Sequence, residues 1–155
     1  MTTITPGKPV PDFTLPATGG KAVSLAGLRG GPVVLYFYPK DDTPGCTTEG
    51  CGFRDHHGSF RKLGAVVLGV SRDPMTAHEK FKTRYEFPFD LLSDADEQLC
   101  RLFDVIREKN MYGRKVMGVE RSTFLIDGKG VLRQEWRKVK VDGHVEAVLA
   151  AVKAL

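Results

Sequence analysis

Residues 33–38, Val-Val-Leu-Tyr-Phe-Tyr, are β-branched and aromatic without a polar break. A short apolar run bounded by turn residues predicts a strand buried on both faces. Pro32 precedes it and Pro39 stops it, because proline supplies no ladder donor. A polar loop, Lys40-Asp41-Asp42-Thr43-Pro44-Gly45, follows, and the pattern predicts a helix from Cys46 to about Leu63. Residues 65–70 predict a second buried strand. Asp73 is then expected as the N-cap, and Pro74 as the first residue, of a helix running to about Tyr85. Leu91 and Leu92 predict a brief strand, after which Ser93 is expected to cap a helix containing Leu99, Leu102 and Phe103. Residues 122–126 and 131–136 flank Asp127-Gly128-Lys129-Gly130, a hairpin signal, and Val145, Val148, Leu149 and Val152 recur at helical spacing. The polar, Pro-rich N-terminus reads as an irregular arm.

Strands alternating with helices, then a hairpin and a closing helix, predict an α/β architecture with a central mixed β-sheet flanked by helices. A thioredoxin-like fold satisfies that order. Sites in such folds collect where loops leave the carboxyl ends of strands, which is where the 39–46 loop is expected. No repeat, low-complexity stretch or linker interrupts the 155 residues, so one domain over 1–155 is expected. No apolar run approaches the roughly 20 residues a membrane-spanning helix requires. The opening MTTITPGKPVPDF also lacks an apolar h-region, so a cytoplasmic protein without membrane contact is expected.

Charge changes this picture little. The chain carries 23 Lys+Arg against 19 Asp+Glu, and the excess lies in residues 101–155. There Arg107, Lys109, Arg114, Lys115 and Arg121 mix with acids and show no repeated basic-aromatic pattern, so nucleic acid is not an expected partner. The same cations suit local steering of anions.

The three cysteines change it more. They are too few, and odd in number, for a secreted disulfide framework, which moves their reading toward redox, nucleophilic or metal chemistry. Cys46 follows a Pro-Gly turn at a helix start, where unpaired N–H groups and the helix dipole favour thiolate, the form a nucleophile needs. The plainer alternative is a small apolar filler. Cys51 lies five residues on, so the pair is not C-x-x-C. On an intact helix their Cα atoms stand ~8–9 Å apart, and a disulfide normally requires about 7 Å or less. Either the two never bond, or the first turns unwind when they do. Gly45, Gly50 and Gly52 each weaken a helix by about 1 kcal/mol, which suits a redox switch driven by local unfolding. A zinc site from Cys46, Cys51, His56 and His57 is the competing reading, but adjacent histidines are poorly spaced for it. Cys100, beside Leu99 and Leu102, reads as packing or as an alternative thiol partner.

The segment Pro39-Lys40-Asp41-Asp42-Thr43-Pro44-Gly45-Cys46-Thr47 resembles the P-x-x-x-T-P-G-C loop of peroxiredoxins. With Tyr36-Phe37-Tyr38 before it and Cys51 after it, the chain resembles the atypical two-cysteine subgroup called bacterioferritin comigratory protein or peroxiredoxin Q. Residues 120–127, Glu-Arg-Ser-Thr-Phe-Leu-Ile-Asp, resemble the strand bearing that family's active-site arginine, and Pro11-Asp12-Phe13-Thr14-Leu15 also fits. The resemblance implies Cys46 as peroxidatic nucleophile, Thr43 and Arg121 as its partners, and Pro39 and Gly45 at the substrate pocket. It also implies Cys51 as resolving cysteine in an intramolecular Cys46–Cys51 disulfide. Hydrogen peroxide and organic hydroperoxides would be substrates, thioredoxin or glutaredoxin the reductant, and no cofactor or metal is implied. Members of the subgroup are often monomeric, and a monomer is expected here. The chemistry agrees with these roles: attack on an O–O bond places charge on the departing oxygen, which a cation and N–H donors stabilise. A protein dithiol–disulfide oxidoreductase without peroxidase turnover is the alternative from another class.

Overall fold

The computed structural model describes residues 4–155. A seven-stranded sheet has the order β2-β1-β5-β4-β3-β8-β9, with β1 Thr14–Ala17, β2 Lys21–Ser24, β3 Val33–Phe37, β4 Val66–Ser71, β5 Asp90–Ser93, β8 Ser122–Ile126 and β9 Leu132–Trp136. Strands β3, β4 and β5 are parallel, and β8 joins β3 antiparallel. The sheet is mixed and flanked by helices, the thioredoxin-like arrangement that the alternating pattern predicts. The helices are α1 Pro44–Asp55, α2 His57–Lys62, α3 Met75–Tyr85, α4 Gln98–Leu102 and α5 His144–Lys153. Among the described residues, no helix is long and apolar enough to cross a membrane.

Strand β3 is buried along its whole length because each sheet face carries its own core. Val33, Leu35 and Phe37 enter the cluster that holds Leu99, Cys100 and Phe103; Val34, Tyr36 and Tyr38 enter the one that holds Cys46, Phe53 and Val148. The period of two along the strand divides one apolar run between two cores.

Several local expectations are corrected. The helix at the reactive loop opens at Pro44 rather than Cys46, since a proline in the first turn gives up only an N–H that has no helical partner. It also ends at His56 (φ −99°, ψ 4°), and a separate short helix, α2, covers the remainder. Pro74, not Asp73, is the N-cap of α3. The Asp73 carboxylate is engaged elsewhere, accepting from Ser71 Oγ at 2.6 Å and from the Asp41 amide at 2.9 Å. Ser93 closes β5 instead of capping α4, and the Asp94 carboxylate takes that duty, accepting from the Leu99 and Cys100 amides at 3.0 and 2.7 Å.

Two hairpins are absent from the periodicity reading. In β1 the proline at 16 interrupts the strand pattern, and β1–β2 occupies what reads as an irregular arm. Strands β6 Ile106–Met111 and β7 Arg114–Val119 are mostly polar and form a separate two-stranded sheet. Their turn is Tyr112-Gly113, both at positive φ (53° and 77°), the backbone that a tight hairpin requires.

The C-terminal helix is tied to the sheet through His144, whose Nε2 lies 2.7 Å from the Thr123 hydroxyl and whose ring meets Phe53 and Trp136 edge-on. Burial, and then the nearby Arg121 charge, push this imidazole down to about 4. Unfolded, it protonates below about pH 6.5. Its contribution to stability is therefore complete above pH 6.5 and is lost as pH falls toward 4, on the order of 2 kcal/mol. Urea midpoints of the parent and His144→Gln, compared at pH 7 and 4.5, test this. The variant is expected to lose less stability on acidification; equal losses would show that His144 is not the source.

Candidate active site

Cys46 lies in the first turn of α1, directly beyond the loop that leaves the carboxyl end of β3, and its side chain is buried. The β3–β8 register pairs Phe37 with Ser122, so Arg121 stands just past the strand end, beside that loop. Its guanidinium forks. Nη2 donates to Cys46 Sγ at 3.4 Å, and Nη1 donates to Glu49 Oε1 at 2.7 Å. A Cβ at residue 45 would stand 3.0 Å from Nη2, so Gly45 leaves the room in which the guanidinium crosses the helix start. A sulfur at a helix N-terminus with a permanent cation against it is equipped for nucleophilic attack on a polarised bond.

The AhpC/TSA family model matches residues 6–135. The chain belongs to the AhpC/TSA family. It is 54% identical over 143 residues to the putative peroxiredoxin bcp of Coxiella burnetii, covering 92% of this chain and 95% of the relative. It is 51% identical over 151 residues to peroxiredoxin Bcp of Bacillus subtilis, covering 97% and 96%. A solved structure of Xanthomonas campestris peroxiredoxin Q superposes with a TM-score of 0.88 at 55% identity, covering 92% of this chain and 90% of that one. The protein is thus a peroxiredoxin of the bacterioferritin comigratory protein group, a thiol-dependent peroxidase.

In this peroxiredoxin the reactive loop is anchored by its two aspartates. Asp41 accepts from the Tyr38 hydroxyl at 2.6 Å and meets His78 Nδ1 at 2.6 Å, while His78 Nε2 lies 2.9 Å from Leu92 O. A carbonyl only accepts, so Nε2 carries a hydrogen and one further proton occupies the Nδ1–Asp41 contact. Asp42 accepts from Arg84 Nη1 and the Tyr85 hydroxyl at 2.7 and 2.8 Å. Both contacts tie the loop to α3.

Pro39 is half-buried at the start of this loop. The Thr43 hydroxyl donates to Lys40 O at 2.9 Å, within the loop and not toward the sulfur. Cys51 is half-buried on the same helix as Cys46, and all three thiols are free. Gly50, between them, permits a close approach: a Cβ there would stand 2.5 Å from the Phe87 ring. The glycine that weakens α1 thus also lets it pack tightly.

Cys100 lies in the core on the opposite sheet face from Cys46. Burial, and then the Asp94 carboxylate, push its thiol far above the ordinary range, which disfavours the thiolate there. The histidines of the zinc reading point to different neighbours, His56 Nδ1 to Gly52 O at 3.0 Å and the His57 ring toward Phe89. The carboxylate–histidine set that does converge among the described residues is Asp41, Asp73 and His78, and its contacts are the hydrogen bonds of the loop anchor.

Glu49 is the site residue that motif reasoning passes over. It is fully buried, and burial raises its carboxyl to about 7 against the opposing pull of Arg121. Its signal is positional: three residues past Cys46, it shares one helix face with the thiol.

Proposed function

We propose that residues 1–155 work as one domain, a cytoplasmic monomer in which Cys46 attacks hydrogen peroxide or an organic hydroperoxide and Cys51 resolves the product. The observation that carries this reading is the Arg121 Nη2 contact with Cys46 Sγ at the start of α1. The thiolate sulfur forms an S–O bond as the O–O bond breaks, and the departing hydroxide or alkoxide takes a proton to leave as water or alcohol. Arg121 and the free N–H groups of the first turn face the charge that develops. Pro39 and Gly45 bound the approach to the sulfur, and Thr43 keeps the loop closed through Lys40 O.

Cys46 is then a sulfenic acid. The Cys51 sulfur attacks it, an S–S bond forms, and the S–O bond breaks with release of water. Both cysteines belong to the helical segment, so this step requires the first turns of α1 to unwind. A dithiol protein, thioredoxin or glutaredoxin, returns both thiols by exchange.

Cys51→Ser tests the assignment. The variant is expected to consume one equivalent of peroxide at the parental rate, to form no intramolecular disulfide, and to lose about tenfold or more of its thioredoxin-coupled turnover. Undiminished coupled turnover would remove Cys51 from the cycle.

A further inference from the structure

Two buried polar atoms among the described residues have no hydrogen-bond partner, the Tyr36 hydroxyl and Glu49 Oε2. Tyr36 packs in the core that contains Cys46, and after its own burial the Glu49 charge is the strongest influence holding its phenol protonated. The Tyr36 phenol thus feels both the Glu49 carboxyl and the Cys46 sulfur, in the core that holds the reactive thiol.

The groups that face Glu49 set its behaviour. Arg121, ahead of β8, supplies one N–H to Oε1; Tyr36, on β3, supplies a phenol; Cys46 shares the helix face. Arg121 is the cation in this set, and its fork is divided between the carboxyl and the sulfur. An ionised Glu49 therefore holds Oε2 as an anionic oxygen out of water with no donor within hydrogen-bond reach, the Tyr36 hydroxyl included, which is unfavourable. A proton on Oε2 removes that charge while Arg121 keeps both contacts, one N–H on Oε1 and one on the sulfur.

Glu49 lies between the two cysteines, so any unwinding that joins Cys46 to Cys51 carries it into water. We propose that Glu49 is a positioning residue whose proton is tied to the redox cycle: neutral and buried while α1 is wound, ionised and hydrated when α1 unwinds to form the disulfide. This deepens the Cys46–Cys51 reading and rests on it. Unwinding breaks the Oε2–H bond, the electron pair stays on the carboxylate, and the proton goes to solvent; rewinding after reduction takes one back.

Wound, the carboxyl titrates at about 7, and unwound near its ordinary 4.5, so between these values the wound form holds a proton that the unwound form does not. Raising pH across that window shifts the balance toward the unwound, disulfide-ready form, and outside it Glu49 adds no slope.

The experiment compares the parent with Glu49→Gln, each equilibrated against a reference dithiol–disulfide pair from pH 4.5 to 8. Peptide mapping of the oxidised parent first checks for the Cys46–Cys51 bond, and its absence would overturn the disulfide reading and this proposal with it. With the bond present, the protons of the cysteines are common to both proteins. The parent's reduction constant relative to the variant's is expected to fall on the order of a hundredfold as pH rises to 7.5. A ratio that does not change with pH overturns the role of Glu49 while the disulfide stands. Should Gln at 49 prevent folding, the redox-difference infrared spectrum of the parent at pH 6 decides. A protonated-carboxyl band is expected to vanish on oxidation, and its absence from the reduced protein overturns the proposal.

Discussion

Cys46→Ser is expected to lose peroxide turnover by about 10⁴-fold or more while keeping its fold, because a serine hydroxyl with no adjacent base is a poor nucleophile toward O–O. The change is sterically mild. Sulfur gives way to a smaller oxygen at a buried position, and Arg121 Nη2 retains an acceptor. Circular dichroism and a urea titration should match the parent closely, so lost activity would report chemistry and not unfolding. The measurement is peroxide consumption under excess dithiol reductant. Turnover within tenfold of the parent would exclude Cys46 as the attacking group.

Arg121→Ala is expected to slow oxidation of Cys46 by about 10² to 10³-fold, the range for removing one donor from a site of developing charge. It also strands Glu49, whose Oε1 has only that guanidinium. Above about pH 7, where the carboxyl is ionised, stranding that buried charge costs about 3–5 kcal/mol, and less below it, where Glu49 holds a proton. Two further variants separate these effects. Arg121→Lys keeps the charge but replaces a two-pronged fork with a point charge, so its rate should fall between parent and Ala. Arg121→Met with Glu49→Gln should recover stability without recovering rate. If the double variant regained the parental oxidation rate in stopped-flow measurements, Arg121 would be a packing residue and not part of the chemistry.

The β3 and β4 strands, the reactive loop, the helix bearing Cys46 and the closing helix were all legible from periodicity and proline placement, because each depends on neighbours within a few residues. The caps were not. Asp73 and Ser93 carry good cap chemistry in sequence, yet Asp73 answers Ser71 and the Asp41 amide, and Ser93 Oγ donates to Asp73 O. A polar side chain in a folded chain takes the nearest unsatisfied group in space. The β6–β7 hairpin escaped notice for the opposite reason: its strands bury little apolar surface, so the pattern that marks strands is weak there.

By itself, the sequence determined the layered α/β order, the placement of Cys46 at a helix start, and the five-residue interval to Cys51 that no intact helix can bridge. These follow from backbone geometry, which local spacing encodes. The resemblance implied Arg121 as a partner of Cys46, but the tertiary structure decided how an arginine 75 residues away reaches the sulfur, because the Phe37–Ser122 pairing sets where it emerges. It also decided that Glu49 is buried with one oxygen unpartnered, that His144 is held against Thr123, and that Cys100 lies across the sheet from the reactive thiol. Charge, burial and reach depend on which distant elements pack together, and no local pattern carries that information.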